Sequence, residues 1–548
     1  MTDTQTTGIP EPEGPTDIIE TDYEIGQDNV QPSIGALAFD VHNPVFAISG
    51  LVIVAFVVIT LALQNETDVL FNGLRDWLTS KLDWFFLVAG NIFVLMAVAV
   101  IIMPWGAIRI GGSEATPDFS YAAWFSMLFA AGMGIGLMFY GVAEPIGNYD
   151  AAIAGVIEEG GARTDWAPLA GAQGDAEGAR RLAMAATIFH WGLHPWAIYG
   201  VVALGLALFA YNKGLPLTMR SIFYPIFGER VWGWPGHIID ILAVFATLFG
   251  LATSLGLGAQ QANAGLSFLF GMPDTDVTRV LLIVCITAVA TISVVAGLDA
   301  GVRRLSEINM VLAALLLIFV IATGPTLAII SGFFLNLAAY IEYLPALSNP
   351  IGREDDNFRQ GWTAFYWAWW ISWSPFVGMF IARVSRGRTV REFMIAVLLV
   401  PSLVSVLWMT SFGGTAISLI GTGFNDISSA ALELQLFAML SHLPLTAITS
   451  FVGIVLVIVF FCTSSDSGSL VIDTITAGGK VDAPTAQRVF WAAFEGLVAI
   501  ALLLGGGLAA LQAAAVSTGL PFTIVLLLGC YALARGLMSE PRGPVSSS

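Results

Sequence analysis

The stretch FYWAWWISWSPFVGMFIARVSRGRTVREF, residues 365–393, crowds four tryptophans into seven positions of an otherwise apolar run. The chain around it has 548 residues, of which 56% are hydrophobic and 11% are charged, with a mean hydropathy of +0.79. Because soluble proteins carry about 25% charged residues, this composition indicates an integral membrane protein. The tryptophans therefore lie in a segment that crosses the lipid bilayer.

Apolar runs long enough for a helix to cross a bilayer, about 20 residues each, recur along almost the whole chain. They predict an all-α membrane protein with twelve transmembrane helices, at about 45–64, 84–105, 121–142, 185–211, 238–259, 277–297, 308–334, 362–384, 393–421, 445–465, 486–505 and 508–536. Residues 335–350 mix Tyr340, Glu342 and Tyr343 with aliphatic residues. We expect an interfacial helix there, lying flat on the membrane.

Two of these spans carry signals for an interrupted helix. The third contains AAGMGIGLMFYG (130–141), and the eighth, five helices later, contains Pro375 and Gly378. Interruptions at corresponding places in two halves are typical of inverted-repeat transporters. We expect a transmembrane domain over 41–537, in which a five-plus-five repeat (about 119–334 and 360–536) follows two extra helices. The alternative is that the glycines only allow close helix packing.

The charges predict how the chain sits in the cell membrane. Residues 1–40 contain nine Asp and Glu and no Lys or Arg, a composition typical of a disordered acidic tail. Counting loops from the first helix, the even loops hold twelve Lys and Arg and the odd loops hold eight. Since basic residues stay on the cytoplasmic side, both termini, including a short tail at 538–548, are expected in the cytoplasm.

Other classes of protein are disfavoured by what the chain lacks. The three cysteines, Cys285, Cys462 and Cys530, all fall inside apolar spans, where a small buried hydrophobe is their usual role. His190 and His194 are four residues apart, but no third ligand accompanies them. We therefore expect no disulfide, no metal cofactor, no enzyme and no nucleic-acid partner.

Aromatic residues instead suggest a binding cage. Trp369, Trp370 and Trp373 lie on one side of a helix, and FHWGLHPWAIYG (189–200) supplies Trp191, Trp196 and Tyr199. Opposed aromatic faces bind quaternary ammonium groups. Residues 121–143, 185–211 and 362–382 contain no Asp or Glu, so a zwitterion, which brings its own carboxylate, suits the cage better than a bare cation. The rings could also only pack against one another.

The tryptophan stretch resembles the signature of the betaine/choline/carnitine transporters, and the segments 132–145 and 189–200 look like two other landmarks of that family. The similarity runs over about residues 40–537. It implies twelve helices, a homotrimer, and secondary transport of quaternary ammonium or related compatible solutes. Sodium-coupled glycine betaine transporters are the members that this chain is most similar to.

The resemblance also implies roles for particular residues. The cargo site falls on Trp191, Trp196, Tyr199, Trp369, Trp370 and Trp373, with Ala131 and Met133 of the glycine stretch. A sodium site falls on Ala130, Met133, Phe460, Thr463 and Ser464. A second sodium site matches at Thr247 and Phe376, but Leu251 stands where a second hydroxyl is expected. Asp466 is expected to organise the sodium site indirectly, and Glu144 either caps a helix or gates the pathway.

The sequence therefore predicts a symporter that imports glycine betaine by alternating access, with Na⁺ as coupling ion and no other cofactor. The same fold carrying choline, carnitine, ectoine or dimethylsulfoniopropionate is the nearest alternative. Choline carriers tend to have an acidic residue where Gly136 stands, which weighs against choline. A sodium-independent exchanger is a further alternative, disfavoured because spans three to five contain no Lys or Arg in place of sodium.

Overall fold

The computed structural model describes residues 9–541 except 36, 133, 160, 161, 297 and 298. Six short strands form three antiparallel pairs in this part of the chain, in which β1 pairs with β4, β2 with β3 and β5 with β6. Their bounds are Asn29–Val30, Ser33–Ile34, Leu37–Ala38, Val41–His42, Ile157–Glu159 and Ala162–Thr164.

Helices make up most of the rest. In chain order, α1 to α19 span Asn43–Ala62, Gln64–Ile102, Tyr121–Gly132, Ile135–Ala154, Ala176–Trp191, Leu193–Ala207, Tyr224–Phe227, Trp234–Phe270, Asp276–Ala296, Asp299–Thr323, Thr326–Leu347, Asp356–Phe358, Ala364–Val384, Val390–Gly421, Asp426–Ser429, Gln435–Ser441, Thr446–Thr476, Thr485–Leu504 and Gly507–Ser539. Single π-helical turns at Leu208–Asn212 and Arg359–Thr363 extend α6 and precede α13.

Eleven described helices are long and apolar enough to cross a membrane, or twelve if the bent pair α3–α4 counts as one span. Some keep large apolar faces exposed, such as Val277, Leu281 and Ile292 on α9, and faces of this kind require lipid. The prediction of an all-α multi-pass membrane protein is confirmed. The eleven helices count α5 and α6 together, as Ala176–Asn212, and they include α11. They do not include α13, which is less apolar and packs against α6, α8 and α19. The repeat arrangement stays a prediction.

The predicted interfacial helix begins at a different place. We expected a span to continue to residue 334 and a flat helix to follow at 335–350, but α10 ends at Thr323 and α11 begins at Thr326. Gly324 and Pro325 cause the break, because a proline cannot continue the hydrogen-bond ladder of the preceding helix. These bounds replace the predicted ones, and the flat orientation of α11 stays a prediction.

The two predicted interruptions behave differently. The chain bends by 64° between α3 and α4, where Gly134 is extended and a run of glycines lowers helix propensity. The break predicted at Pro375 is wrong, because α13 continues from Ala364 to Val384. Pro375 has no N–H for the carbonyl of Ile371, but the Ser374 hydroxyl donates a hydrogen bond to that carbonyl at 2.7 Å. A serine thus repairs the ladder, as in other membrane helices.

The N-terminal segment, defined here as residues 9–42, packs against the loops at one end of the helices. The Tyr23 ring stacks on Trp232 with centroids 4.3 Å apart, and its hydroxyl accepts a hydrogen bond from Arg220 at 2.9 Å. Asp40 pairs with Lys480 at 2.6 Å. Burial disfavours the charge on Asp40, but the hydrogen bond from Lys480 helps to lower the pKa of its carboxyl.

A second contact joins this segment to both the loop after α6 and the end of α19. Lys213, whose side chain is 1% exposed, pairs with Asp17 at 2.9 Å and with Glu540 at 2.8 Å. Composition predicts disorder over residues 1–40, and this stays a prediction, although Asp17, Tyr23 and Asp40 of that stretch have the contacts described above. The composition rule considers only what a segment can bury by itself, and here the partners are basic and aromatic residues of distant loops.

Candidate solute-binding site

A cavity of about 250 Å³ lies among α3, α4, α5, α6, α8, α10, α13, α14 and α17. Its described lining residues are uncharged and combine aromatic rings with hydroxyl and amide side chains. A largely apolar cavity with a few polar groups is the usual form of a small-molecule site.

Aromatic rings from α5, α6 and α13 form the cage of this cavity. Trp369 and Trp370 stack with centroids 5.0 Å apart, and Trp191 meets Trp370 edge to face at 4.9 Å. Trp196 and Tyr199 meet at 5.3 Å with their planes 72° apart. Edge-to-face and stacked pairs of this kind fix the orientation of the rings that line the cavity.

Hydrogen bonds hold the polar edges of the α13 rings. The indole N–H of Trp373 donates to the Gly250 carbonyl at 2.9 Å, and that of Trp370 donates to the His190 carbonyl at 2.8 Å. Trp369 donates to the Ser254 hydroxyl at 3.2 Å. Because these N–H groups are already satisfied, the rings can offer a ligand their faces rather than hydrogen bonds.

The structure brings all six predicted aromatic side chains together at this cavity: Trp191, Trp196, Tyr199, Trp369, Trp370 and Trp373. Ala130, Ala131, Phe376, Phe460, Thr463 and Ser464 line it as well. Thr247, Asp466 and Glu144 are not among the lining residues, and Met133 lies outside the described residues. The roles of these residues stay predictions.

The residues at the first sodium position have suitable oxygen donors. Thr463 donates its hydroxyl hydrogen to the Val459 carbonyl at 3.0 Å, which leaves oxygen lone pairs on that hydroxyl. Ala130 lies in the last turn of α3, where backbone carbonyls have no partner within the helix. Hydroxyl and carbonyl oxygens suit a small hard cation, so these residues, with Ser464, fit Na⁺.

The second sodium position is less complete. The Thr247 hydroxyl is fully buried and has no hydrogen-bond partner within the described part of the chain, as a cation ligand would. One turn along α8, however, Leu251 fills the space toward α17, and a Cβ on Gly468 would lie 2.2 Å from its Cδ1. The side chain at 251 thus supplies packing instead of an oxygen ligand.

The sequence analysis missed the polar residues that other helices contribute. Ser254, Ser306, Asn309, Ser405 and Ser467 line the cavity. Asn309 is 1% exposed, and its Oδ1 has no hydrogen-bond partner among the described residues. Ser306 and Asn309 are three residues apart on α10 and therefore lie on the same side of that helix. This spacing was the sequence signal that could have predicted the polar part of the lining.

Glu144, on α4, lies behind the cage and is fully buried. Its Oε2 accepts hydrogen bonds from the Trp191 indole at 2.7 Å and the Tyr366 hydroxyl at 2.6 Å, and its Oε1 lies 2.6 Å from His190 Nδ1. Glu144 is 0% exposed, lies within α4 and is not among the lining residues of the cavity, and its two predicted roles, helix cap and gate, stay predictions.

Asp466 is half-buried on α17, and its backbone carbonyl accepts a hydrogen bond from the Ser469 hydroxyl at 2.9 Å. The two histidines of FHWGLHPWAIYG have separate partners: His190 bonds Glu144, and His194 Nε2 lies 3.0 Å from Asn91 Oδ1. Among the described residues, no group of three or more His, Cys, Asp or Glu could hold a metal ion.

The fold is that of a multi-pass membrane protein, and its site is a buried aromatic cavity. Together they define a class of protein, the transporters of small solutes. Residues 44–542 match the family described as BCCT, betaine/carnitine/choline family transporter. The chain belongs to that family, and it is a transporter rather than an enzyme.

Three similar transporters are named by their substrates. The chain is 68% identical to a glycine betaine/proline/choline transporter of Vibrio parahaemolyticus, over 98% of this chain and 97% of the relative. It is 51% identical to a glycine betaine/proline/choline/ectoine transporter of the same organism, over 95% and 91% of the two chains. It is 41% identical to the glycine betaine transporter OpuD of Bacillus subtilis, over 91% and 94%.

Proposed function

We propose that this chain is a sodium-coupled symporter that imports glycine betaine by alternating access. The observation that carries the proposal is the gathering of six aromatic side chains from three helices around one cavity whose described lining is uncharged. Aromatic faces attract a desolvated trimethylammonium group, with a contribution of about 2 kcal/mol per contact. The names of the three relatives, which all include glycine betaine, support the same cargo.

The polar lining favours a zwitterion over a bare cation. Ser306, Asn309 and Thr463 can donate or accept hydrogen bonds, and no described lining residue is acidic, so a carboxylate meets no like charge. An acidic side chain at Gly136 would have to displace cage rings, because a Cβ there would lie 2.8 Å from Trp191 and 2.9 Å from Trp369. Choline stays the second candidate, since two relatives are named for it, together with proline and ectoine.

Sodium coupling is proposed at Thr463, Ser464 and the carbonyls near Ala130. The second position has Thr247 but no oxygen at 251, so we propose one sodium ion per cargo at the first position. A symporter that moves a net-neutral zwitterion with one Na⁺ carries one positive charge inward per cycle. Reversal potentials measured at two sodium gradients therefore distinguish one coupled ion from two.

We also propose that the protein is a homotrimer in the plasma membrane, with both termini in the cytoplasm. The distribution of Lys and Arg among the loops supports this orientation. Cysteine labelling from outside intact cells tests it, because residues near Glu354 should react and residues near Lys480 should not. Crosslinking in native membranes tests the trimer.

The decisive experiment is uptake by proteoliposomes of labelled glycine betaine, choline, proline, carnitine and ectoine, with and without a sodium gradient. We expect concentrative uptake of glycine betaine with the lowest KM, and no uptake when potassium replaces sodium. Equal uptake in potassium would exclude the symport mechanism. A lower KM for choline than for glycine betaine would overturn the zwitterion assignment while leaving the cage intact.

A further inference from the structure

Glu144 stands at the centre of a buried polar network that the cavity itself does not include. The side chains of Glu144 and His190 are both 0% exposed, and Glu144 Oε1 lies 2.6 Å from His190 Nδ1. On its far side His190 Nε2 lies 2.9 Å from the Thr363 hydroxyl. Burying a carboxyl group is costly unless hydrogen bonds satisfy its oxygens. The residues that bond Glu144 therefore indicate its role.

Those partners come from α5 and α13, whereas Glu144 itself lies on α4, ten residues beyond Gly134 at the bend. Trp191 and His190 approach from the end of α5, and Tyr366 approaches from α13. The carboxyl group therefore ties the segment that follows the bend to the two helices that supply Trp191 and the α13 rings. These three contacts measure 2.6 to 2.7 Å.

Each partner also touches the cage. Trp191 is itself a cage ring, oriented 76° from the plane of Trp370. Tyr366 stacks on Trp370 with centroids 5.9 Å apart, and the His190 carbonyl accepts the hydrogen bond of the Trp370 indole. If the carboxyl group moved, Trp191 and Trp370 would thus no longer be held in their present orientations.

We infer that Glu144 is a positioning residue for the aromatic cage, which acts by accepting hydrogen bonds from Trp191 and Tyr366. This inference rests on the proposed function, since it supposes that the cage binds the ammonium group of the cargo. Without an acceptor, the buried indole N–H of Trp191 and hydroxyl of Tyr366 lose their partner, and reorientation of the rings relieves that penalty. The faces that a cation contacts are then no longer aligned.

The test compares Glu144→Ala with Glu144→Gln in proteoliposomes, with labelled glycine betaine at saturating sodium. A glutamine can replace each hydrogen bond, because its carbonyl accepts from Trp191 and Tyr366 while its NH₂ donates to His190 Nδ1. We expect Glu144→Ala to raise KM at least tenfold with a smaller change in the maximal rate, and Glu144→Gln to stay within threefold of the unaltered protein. An equal rise in KM for both substitutions, or an unchanged KM in Glu144→Ala, overturns the inference.

Two further variants keep the outcomes distinct. Trp196→Leu removes a cage ring that has no hydrogen bond to Glu144, so an unchanged KM in that variant counts against the cage and the proposed function. A raised KM in Trp196→Leu beside an unchanged KM in Glu144→Ala counts against Glu144 alone. If Glu144→Ala fails to elute as a folded protein, Tyr366→Phe decides: it keeps the stacked ring but removes one hydrogen bond, and a KM within error of the unaltered protein overturns the inference.

Discussion

The helix pair α3–α4 and the helix α13 carry similar sequence signals for an interruption, but the chain bends by 64° at the first and continues through the second. Glycines surround the first site, and Gly134 there adopts an extended conformation without a side-chain cap. At the second site a single proline removes one hydrogen bond, and Ser374 restores a donor to the orphaned carbonyl.

The difference teaches that a proline in a membrane helix predicts a missing hydrogen bond rather than a break. A local hydroxyl can supply that bond, whereas a glycine run lowers the stability of several consecutive helical residues. The continuous α13 then carries Trp369, Trp370 and Trp373 on one helix, while the bent pair places Gly136 close to Trp369.

Removing rings from the cage should have the largest effect. We expect Trp373→Leu on α13 and Trp196→Leu on α6 each to raise the KM for glycine betaine at least tenfold, because losing one desolvated cation–π face costs about 2 kcal/mol and about 1.4 kcal/mol corresponds to a factor of ten. Uptake kinetics measure this, and Trp234→Leu is the control, since Trp234 is 62% exposed and outside the cavity. An unchanged KM in both cage variants would rule out the cage.

The close approach of the glycine run to the cage is tested by adding one methyl group at position 136. Gly136→Ala places a Cβ within 3 Å of Trp191 and Trp369, so we expect a severalfold rise in KM as those rings move. Gly73→Ala on α2 is the control: a Cβ there meets no described atom within 4 Å and Gly73 does not line the cavity, so the KM should stay close to that of the unaltered protein. Similar kinetics for the two variants would mean that close approach at position 136 does not shape the cage.

The proposed sodium site should respond differently from the cage. We expect Thr463→Ala and Ser464→Ala to raise the sodium concentration needed for half-maximal uptake severalfold, with a smaller change in the cargo KM at saturating sodium, because each loses one oxygen ligand. Thr463→Ser keeps the hydroxyl and is the matched control. A sodium dependence that is unaltered in both alanine variants would move the coupling site elsewhere.

The smallest effect should come from Ser374. Ser374→Ala leaves the Ile371 carbonyl without its partner and should destabilise the protein by about 1 kcal/mol, observed as a lower midpoint of thermal unfolding. Adding Pro375→Ala supplies a backbone N–H to the same carbonyl, so the double variant should recover most of the loss. If the double variant is even less stable than Ser374→Ala, Ser374 does not replace the hydrogen bond that Pro375 removes from α13.

Much of this protein could be predicted from sequence because lipid imposes simple rules. Twenty-residue apolar runs must be helices, since backbone groups cannot remain unpaired in a bilayer. The spacing of Trp369, Trp370 and Trp373, and of Trp196 and Tyr199, placed the rings on common helix sides, and the structure brings them to one cavity. The family resemblance rested on the same residues.

The tertiary structure alone decided which distant groups become partners. The acidic segment at residues 9–42 has a composition typical of disorder, but Lys213, Arg220 and Lys480 come from loops far apart in sequence, and their contacts with this segment hold it. Glu144 is another case, because its three partners lie 46, 47 and 222 residues away along the chain. Local sequence determines helices through short-range hydrogen bonding and lipid solvation, whereas pairings between distant side chains depend on how those helices pack.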